Sequence, residues 1–391
     1  MDFAQTSLYL RLDIVAMTVT MVCILILLFF THALLCTRQV SYIGSRHNDD
    51  IGRYAKAKAY MALLSYMLDI LWCALLLVSD AFTTVFDLTG LIIAHWLLRR
   101  LVLGSVQMRV ERHFGFGRMT WQILGKVILK ALCLRLVLTF GAVSLFFYFM
   151  PMTSHMAVFL WVWLVWFCFD SAVVTLRPWL QSRLDGLLNP LDDAGLLNRV
   201  THMCLYAGYE PVDVYVQDGS QRTSHANARF EGIGPFKRIV LNDSLLDRLN
   251  EDEILSVIAH ELGHHAHRHI LKYQFLKGGL ALLGVLIFGQ FSTSFSSLVI
   301  SAPALAAVAL PVLNAYIRSC EYQADRFASF YGGGAETFLR ALDKIHVQNA
   351  MMQKGDQFYD AVYSGHPTPQ ARAQYLRKIS NGATKIHMAG G

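Results

Sequence analysis

Long runs of apolar residues alternate with short polar connections through most of the chain, and that alternation predicts helices before any single residue does. Runs close to the ~20 residues needed to span about 30 Å of hydrocarbon fall at 14–36, 60–79, 85–108, 123–150, 156–176, 275–290 and 298–317. Two of the seven are interrupted: the run from 85 carries Asp87, His95, Arg99 and Arg100, and the run from 123 carries Lys126, Lys130 and Arg135. Charges at membrane depth must snorkel, face protein or line water. Two arrangements stay open: segments shifted so that the cations reach the surface, or helices with a polar interior. The pattern changes between 177 and 272. Residues 212–216 and 238–241 run apolar or alternate over short stretches suited to a small sheet. Asn250 with Glu253 three residues on is a capping-box pattern, and Ile254, Leu255, Val257 and Ile258 after it predict a helix.

Composition narrows this picture. Apolar residues make up 54% of the chain and charged residues 16%, against about a quarter charged in soluble domains, so the chain is a membrane protein. Its net charge of +6 is largely a topological bias. Residues 38–58 hold Arg38, Arg46, Arg53, Lys56 and Lys58, and Arg109, Arg112 and Arg118 follow the third run, while the connections at 80–84, 151–155 and 291–297 contain neither Lys nor Arg. Positive connections stay cytosolic, which places the N-terminus outside, and residues 177–272 with the tail after Arg318 in the cytosol. No nucleic-acid surface emerges. The 7 cysteines are an odd number and lie mostly in apolar runs, which argues against a disulfide framework. The first run follows a single cation, Arg11, and lacks a small-x-small cleavage site, so it reads as a retained helix.

The candidate chemistry lies at His260-Glu261-Leu262-Gly263-His264. With 8 Glu and 15 His among 391 residues, a random chain of this composition shows H-E-x-x-H roughly once in a hundred sequences. Four residues advance a helix by about 400°, leaving His260 and His264 ~40° apart on one face, so both imidazoles can grip one zinc ion. Glu261, about 100° round from His260, suits a general base acting on a metal-held water. Catalytic zinc needs a third protein ligand. His265, His267 and His269 crowd the same helix and read best as a polar helix end at the membrane surface. The metzincin pattern is excluded, because it requires Gly and His where the chain has His267 and Ile270. The stronger candidate is Glu321 in Glu321-Tyr322-Gln323-Ala324-Asp325, with Asp325 one turn on to accept the free N–H of a ligating histidine.

These residues, with others along nearly the whole chain, resemble the type-I CAAX prenyl endopeptidases, integral-membrane zinc proteases of the gluzincin class. The matching segments are Glu111-Arg112-His113-Phe114-Gly115-Phe116, Pro190-Leu191-Asp192, Ser224-His225-Ala226-Asn227-Ala228-Arg229-Phe230, the stretch from Arg318 to Ala328, and His366-Pro367 with Arg372. The resemblance implies a mainly α, polytopic fold: about seven transmembrane helices around a water-filled chamber, and a zincin-like cytosolic domain with a small β-sheet. The corresponding organisation is transmembrane helices 1–5 over 1–180, a catalytic region with the H-E-x-x-H helix over 181–271, helices 6 and 7 over 272–317, and a C-terminal catalytic region with the third ligand over 318–391. It implies one zinc ion on His260, His264 and Glu321, an edge strand near 224–230 that pairs with an extended peptide, and substrate contacts from Asn227 and Arg372. His366, in a turn-like Ser-Gly-His-Pro, can donate a hydrogen bond to the oxyanion. The chain departs from the family pattern at Ala226 and Arg229, where Ser and Tyr are usual, and at Gly117, where Asn is usual, which puts substrate preference in doubt.

The expected activity is zinc-assisted cleavage of C-terminal peptides from prenylated CAAX-type or other membrane-associated substrates, with the bilayer and a peptide or protein, lipidated in the family's best-known reaction, as partners. A membrane-protein quality-control zinc protease is the alternative. A seven-span transporter or receptor with a vestigial metal site fits less well, since Glu261 is present. A bacterial cytoplasmic membrane is the expected location, with the endoplasmic reticulum as the alternative and the active site on the cytosolic side.

Overall fold

The structure is a computed structural model that describes residues 3–46, 49–78, 84–149, 155–184, 188–220, 223–232, 237–291 and 295–389. Five long helices come first: α1 (Phe3–Arg46), α2 (Asp50–Val78), α3 (Val85–His113), α4 (Trp121–Phe149) and α5 (His155–Leu184). A mixed region follows, with β1 (Leu188–Pro190), α6 (Ala194–Tyr206), β2 (Asp213–Gln217), β3 (Ala228–Glu231), β4 (Arg238–Asn242), α7 (Asp243–Leu246) and α8 (Glu251–Ala266). Two further long helices, α9 (His269–Phe291) and α10 (Phe295–Tyr331), precede α11 (Ala335–Gln348), α12 (Gln357–Tyr363) and α13 (Pro369–Ala389). The seven apolar runs coincide with α1 to α5, α9 and α10. Among the described residues, Ile26–Ser45, Trp121–Leu145, Met156–Leu176 and His269–Ile287 are long and apolar enough to cross a membrane. The cation-free connections at 80–84, 151–155 and 291–297 fall mostly outside the described residues.

Three of the charged or titratable groups in the third apolar run, Asp87, His95 and Arg99, are met by protein. Asp87 sits in the first turn of α3, where it forms a capping box with Thr84. Deeper in, Asp69 of α2 accepts two hydrogen bonds from Arg99 at 2.8 and 2.9 Å and lies 3.1 Å from His95 Nε2. The Trp72 ring stacks on His95 at 5.1 Å. Asp69 itself stands inside the second apolar run, and pairing it with Arg99 spares both helices an isolated charge at depth. In the fourth run, Arg135 lies 5.2 Å from the Trp96 ring centre, a cation–π contact between α4 and α3.

The polar region is built around a four-stranded sheet of order β1-β2-β4-β3. β2 and β4 are parallel, whereas β1 and β3 pair antiparallel with their neighbours. All five residues of β4 are buried, as a central strand covered on both faces requires, and β3 forms an edge. Ile239, Leu241 and Leu245 meet Ile258 and Leu262 of α8 in one core that also takes in Phe338 of α11 and Leu376 of α13. Burying each such side chain contributes about 1.5–3 kcal/mol, so α8 is clamped by sheet and C-terminal helices together. The C-terminal region also reaches the membrane helices: Arg38 near the end of α1 pairs with Asp356 at 3.0 Å.

Candidate active site

The site begins with the start of α8. Asn250 Oδ1 accepts from the Glu253 backbone N–H at 2.9 Å, and Glu253 Oε2 accepts from the Asn250 N–H at 3.0 Å, the reciprocal capping box the sequence predicts. Lys344 of α11 adds a 2.6 Å bond to the same carboxylate and ties α8 to the C-terminal helices. Two turns on, the helical pitch brings His260 Nε2 and His264 Nε2 to 3.1 Å. Between them Gly263 allows α10 to come close. A Cβ on Gly263 would stand 2.9 Å from Phe327 Cβ and 3.1 Å from Ala324 Cα, so only hydrogen fits. That approach delivers Glu321, with Oε2 3.5 Å from His260 Nε2 and Oε1 3.4 Å from His264 Nε2. One ligand atom from each of His260, His264 and Glu321 lies within 4.8 Å of the others.

Each imidazole is backed by a different partner. His260 Nδ1 lies 3.1 Å from Asp325 Oδ1, a close polar contact without the alignment of a full hydrogen bond. Arg372 of α13 grips Asp325 with two guanidinium nitrogens, Nε to Oδ2 at 2.9 Å, and holds Nη1 3.7 Å from Glu321 Oε2. The Phe338 ring stacks on His260 at 5.4 Å and lies 5.7 Å from the Arg372 guanidinium. His264 Nδ1 instead meets His269 Nδ1 at 2.9 Å, and His269 Nε2 meets Gln323 Oε1 at 3.3 Å. An amide oxygen only accepts, so His269 carries its proton on Nε2 and accepts at Nδ1 from His264. His264 Nε2 is thereby left with its lone pair facing His260 and Glu321.

Burial disfavours charge here, yet the ion pairs prevail. Glu321 is 3% exposed, and although burial pushes its carboxyl up, His260, His264 and His366 hold it well below the usual carboxylate range. Asp325 behaves likewise: burial is outweighed by Arg372 and His260, and the carboxyl is lowered. Burial alone would lower His260, but the Asp325 and Glu321 carboxylates raise it to about 9. Glu321 Oε2 is buried with no hydrogen-bond donor aligned on it among the described residues. A buried carboxylate with one oxygen lacking an aligned donor, its two oxygens facing two imidazole nitrogens that are each backed from behind, fits a divalent metal held by two nitrogens and a carboxylate.

Glu261, on the turn between the two histidines, reaches the sheet edge. Its Oε2 accepts from the Phe230 backbone N–H of β3 at 2.8 Å. Asn227 O accepts from Asn242 N at 2.9 Å, so Asn227, Arg229 and Glu231 turn their backbone groups toward β4. By the antiparallel alternation, Ala228 and Phe230 turn theirs to the open edge. The Asn227 side chain is exposed at the start of this strand. The Asn349 amide brackets the residue before it, accepting from Ala226 N and donating to Ala226 O, both at 2.9 Å. His366, on the loop between α12 and α13, has a 65% exposed side chain, with Nδ1 3.1 Å from Glu321 Oε2.

The fold therefore gathers Glu261, His366, Asp325 and Arg372 around His260, His264 and Glu321, with Asn227 at the adjoining strand edge. Arg372 is 6% exposed and occupied by Asp325, a pairing that its resemblance-based assignment to substrate does not include. Sequence reasoning missed His269 and Gln323. The α8 helix ends at Ala266, and Arg268 adopts a left-handed φ of 54°. That turn carries His269 back toward His264, which spacing along one continuous helix cannot reveal. It also missed the reason for Gly263, since close helix approach leaves no mark in spacing. Of the other two crowded histidines, His265 stacks on Phe230 of β3 at 4.7 Å, and His267 Nδ1 lies 2.9 Å from Gly263 O.

Two family models match. One, described as peptidase family M48, covers residues 190–380, and one described as CAAX prenyl protease N-terminal, five membrane helices, covers 106–182. A CAAX prenyl protease 1 homolog of Arabidopsis thaliana is 29% identical over 278 residues, 66% of this chain and 65% of the relative. A probable CAAX prenyl protease 1 of Schizosaccharomyces pombe is also 29% identical, over 66% of this chain and 58% of the relative. The match thus spans a little under two thirds of those relatives' length. The crystal structure of Ste24p from S. mikatae superposes with a TM-score of 0.73 at 23% identity, covering 92% of this chain and 98% of that one, and so shows the same fold. With the M48 match over the region of the site and the membrane-helix match ahead of it, the chain belongs to the CAAX prenyl endopeptidase family.

Proposed function

We propose that the protein is a membrane zinc endopeptidase that cleaves near the C-terminus of prenylated CAAX-type substrates, with the membrane-associated peptide bound along β3. The observation that carries this reading is the convergence of His260, His264 and Glu321, with Glu261 on the neighbouring turn touching the edge strand. Zinc, held by those three residues, would polarise the scissile carbonyl and acidify a water. Glu261 takes the proton from the attacking water and returns it to the departing amine. The Phe230 N–H bond on Oε2 orients the Glu261 carboxylate and leaves Oε1 for that proton. His366 donates to the oxyanion as the carbonyl becomes tetrahedral. Asp325, pinned by Arg372, keeps the His260 ring turned toward the site, and Asn227 contacts the peptide beside the cut.

The catalytic side is the cytosolic one in this reading. Arg38 of the basic segment 38–58 contacts Asp356, and Glu111 beside the second basic cluster lies 2.9 Å from His225 Nε2. The catalytic region therefore shares a side with the connections that carry the positive charge, which is the cytosolic side in membrane proteins.

The test is Glu261→Gln in detergent or proteoliposomes, assayed on a farnesylated peptide. Cleavage should be lost with one zinc per chain retained, and a fully active variant would refute the mechanism. Faster cleavage of the farnesylated peptide than of an unmodified one separates this activity from general quality control.

A further inference from the structure

A second feature at the catalytic end extends beyond the residues assigned so far. A cavity of about 270 Å³ runs from His366 to Tyr54 and Lys58 of α2, with Asn349 and Asp360 on its walls. It starts at the metal-ligand cluster, since His366 Nδ1 is 3.1 Å from Glu321 Oε2. At its far end the Lys58 ammonium stands 4.3 Å from the centre of the Tyr54 ring. Tyr54 and Lys58 are four residues apart and share one face of α2.

Lys58 is a cation with no ion-pair partner among the described residues. The acid nearest in the field, Glu111, is spoken for on both oxygens: Tyr54 donates to Oε1 at 2.6 Å, and His225 Nε2 lies 2.9 Å from Oε2. The other acid of the cavity, Asp360, accepts from Ser364 Oγ at 3.3 Å, and burial, reinforced by Asp356, pushes its carboxyl up, which weakens its repulsion of an incoming anion. An exposed ammonium held over an aromatic face at the edge of the cavity, beside a carboxylate already shared by two other groups, can take up a further anion.

The strand register says which anion. A peptide that joins the edge of β3 antiparallel to it runs its C-terminal side past Ala228 and Asn227 toward Ala226 and His225. Those two residues touch walls of the cavity from behind: Asn349 brackets Ala226, and Tyr54 OH lies 3.2 Å from His225 Nε2. Three residues beyond a cut made beside Glu261 extend about 10 Å, and three residues back along β3 from Phe230, whose N–H meets Glu261, lead to Asn227. We propose that Lys58 receives the free α-carboxylate of a substrate ending three residues after the scissile bond, so that the cavity measures the length of the peptide to be removed. This rests on the protease reading above and adds the group that recognises the chain end.

The experiment compares two farnesylated peptides of one sequence, ending in a carboxylate or a carboxamide. The wild type should cleave the acid with the higher kcat/KM, by roughly 10–100-fold, the range of one charge-assisted hydrogen bond. Lys58→Met should collapse that ratio to within about threefold, while Lys58→Arg keeps most of it. Lys56→Met, a neighbouring cation outside the cavity, should keep the wild-type ratio. A wild type indifferent to the terminal group, or a Lys58→Met variant with the ratio intact, overturns the proposal and leaves the protease reading standing. A wild type that cleaves neither peptide overturns both.

Discussion

Gly263→Ala tests whether the metal site depends on how closely α8 and α10 approach. The added methyl would lie 2.9 Å from Phe327 Cβ and 3.1 Å from the Ala324 Cα, and the second of these is backbone that no rotamer change can clear. Ordinary carbon contacts sit at about 3.5–4.0 Å, so the helices must part by roughly 0.5–1 Å at this point. Ala324 lies between Glu321 and Asp325, and both would move with it. The 3.4 and 3.5 Å separations of Glu321 from the two imidazoles would then widen to about 4 Å or more, beyond the ~0.5 Å that a catalytic constellation tolerates. Folding should suffer less than binding. Overpacking costs about 1–3 kcal/mol, and replacing a helical glycine returns about 1 kcal/mol, a net loss of about 0–2 kcal/mol. Zinc affinity, measured by competition with a chromogenic chelator, should fall about 10–100-fold, and kcat/KM about 100-fold. Gly279→Ala is the control, because nothing lies within 4 Å of its added Cβ. A Gly263→Ala protein with wild-type zinc affinity and turnover would refute the packing argument.

Three further outcomes are expected. His269→Ala removes the acceptor behind His264 and should weaken zinc binding about 10–100-fold, with Gln323→Leu showing a smaller loss in the same chelator competition; unchanged affinity in both would remove the relay. Arg372→Met strands the Asp325 charge in the core and should cost about 3–5 kcal/mol of stability, seen as a lowered Tm, and Asp325→Leu in the same chain should recover part of it; a double variant no more stable than Arg372→Met would contradict the pairing. Burial pushes Glu231 up, but Arg229 and Arg238 outweigh it and hold the carboxyl below its usual value. Its stabilisation is therefore complete above the unfolded pKa of about 4.3 and is lost as pH falls through the lower folded value. Thermal unfolding between pH 6 and pH 3 should show a shallower acid limb for Glu231→Gln, and parallel limbs would sink the assignment.

What could be read from the sequence is what periodicity encodes. The helical repeat places His260 and His264 on one face, the capping pair Asn250 and Glu253 marks the start of α8, and the apolar runs locate the long helices. The strands at 213–217 and 238–242 were visible as short apolar stretches, because β4 is buried along its whole length. The edge strand β3 was visible only through resemblance, since Ala228, Arg229, Phe230 and Glu231 carry little apolar pattern. Contacts between elements distant in sequence left no local trace. Asp69, inside an apolar run, gives no hint that Arg99 and His95 lie opposite it until α2 and α3 are packed. Likewise His269 reads as one of several polar residues near a helix end, and only the turn at Arg268 gives it a distinct role.

One short stretch of α10 accounts for much of what the site requires. Glu321 offers the third ligand, Ala324 provides the small face on which Gly263 rests, and Asp325 backs His260; these three share a side of the helix by their spacing of three and four residues. Gln323, on the flank, reaches His269 and so acts on His264. The two imidazoles are supported by different chemistry, an Asp–Arg ion pair behind one and a neutral imidazole and amide behind the other. The carboxylates behind and beside it raise the basicity of the His260 ring, while the neutral relay fixes the His264 tautomer without adding charge beside the membrane. A substitution that moves α10 as a body disturbs both supports at once, whereas one at His269 or Arg372 disturbs one. Comparing Gly263→Ala with those two variants therefore separates helix placement from ligand orientation as the factor that holds the metal site in shape.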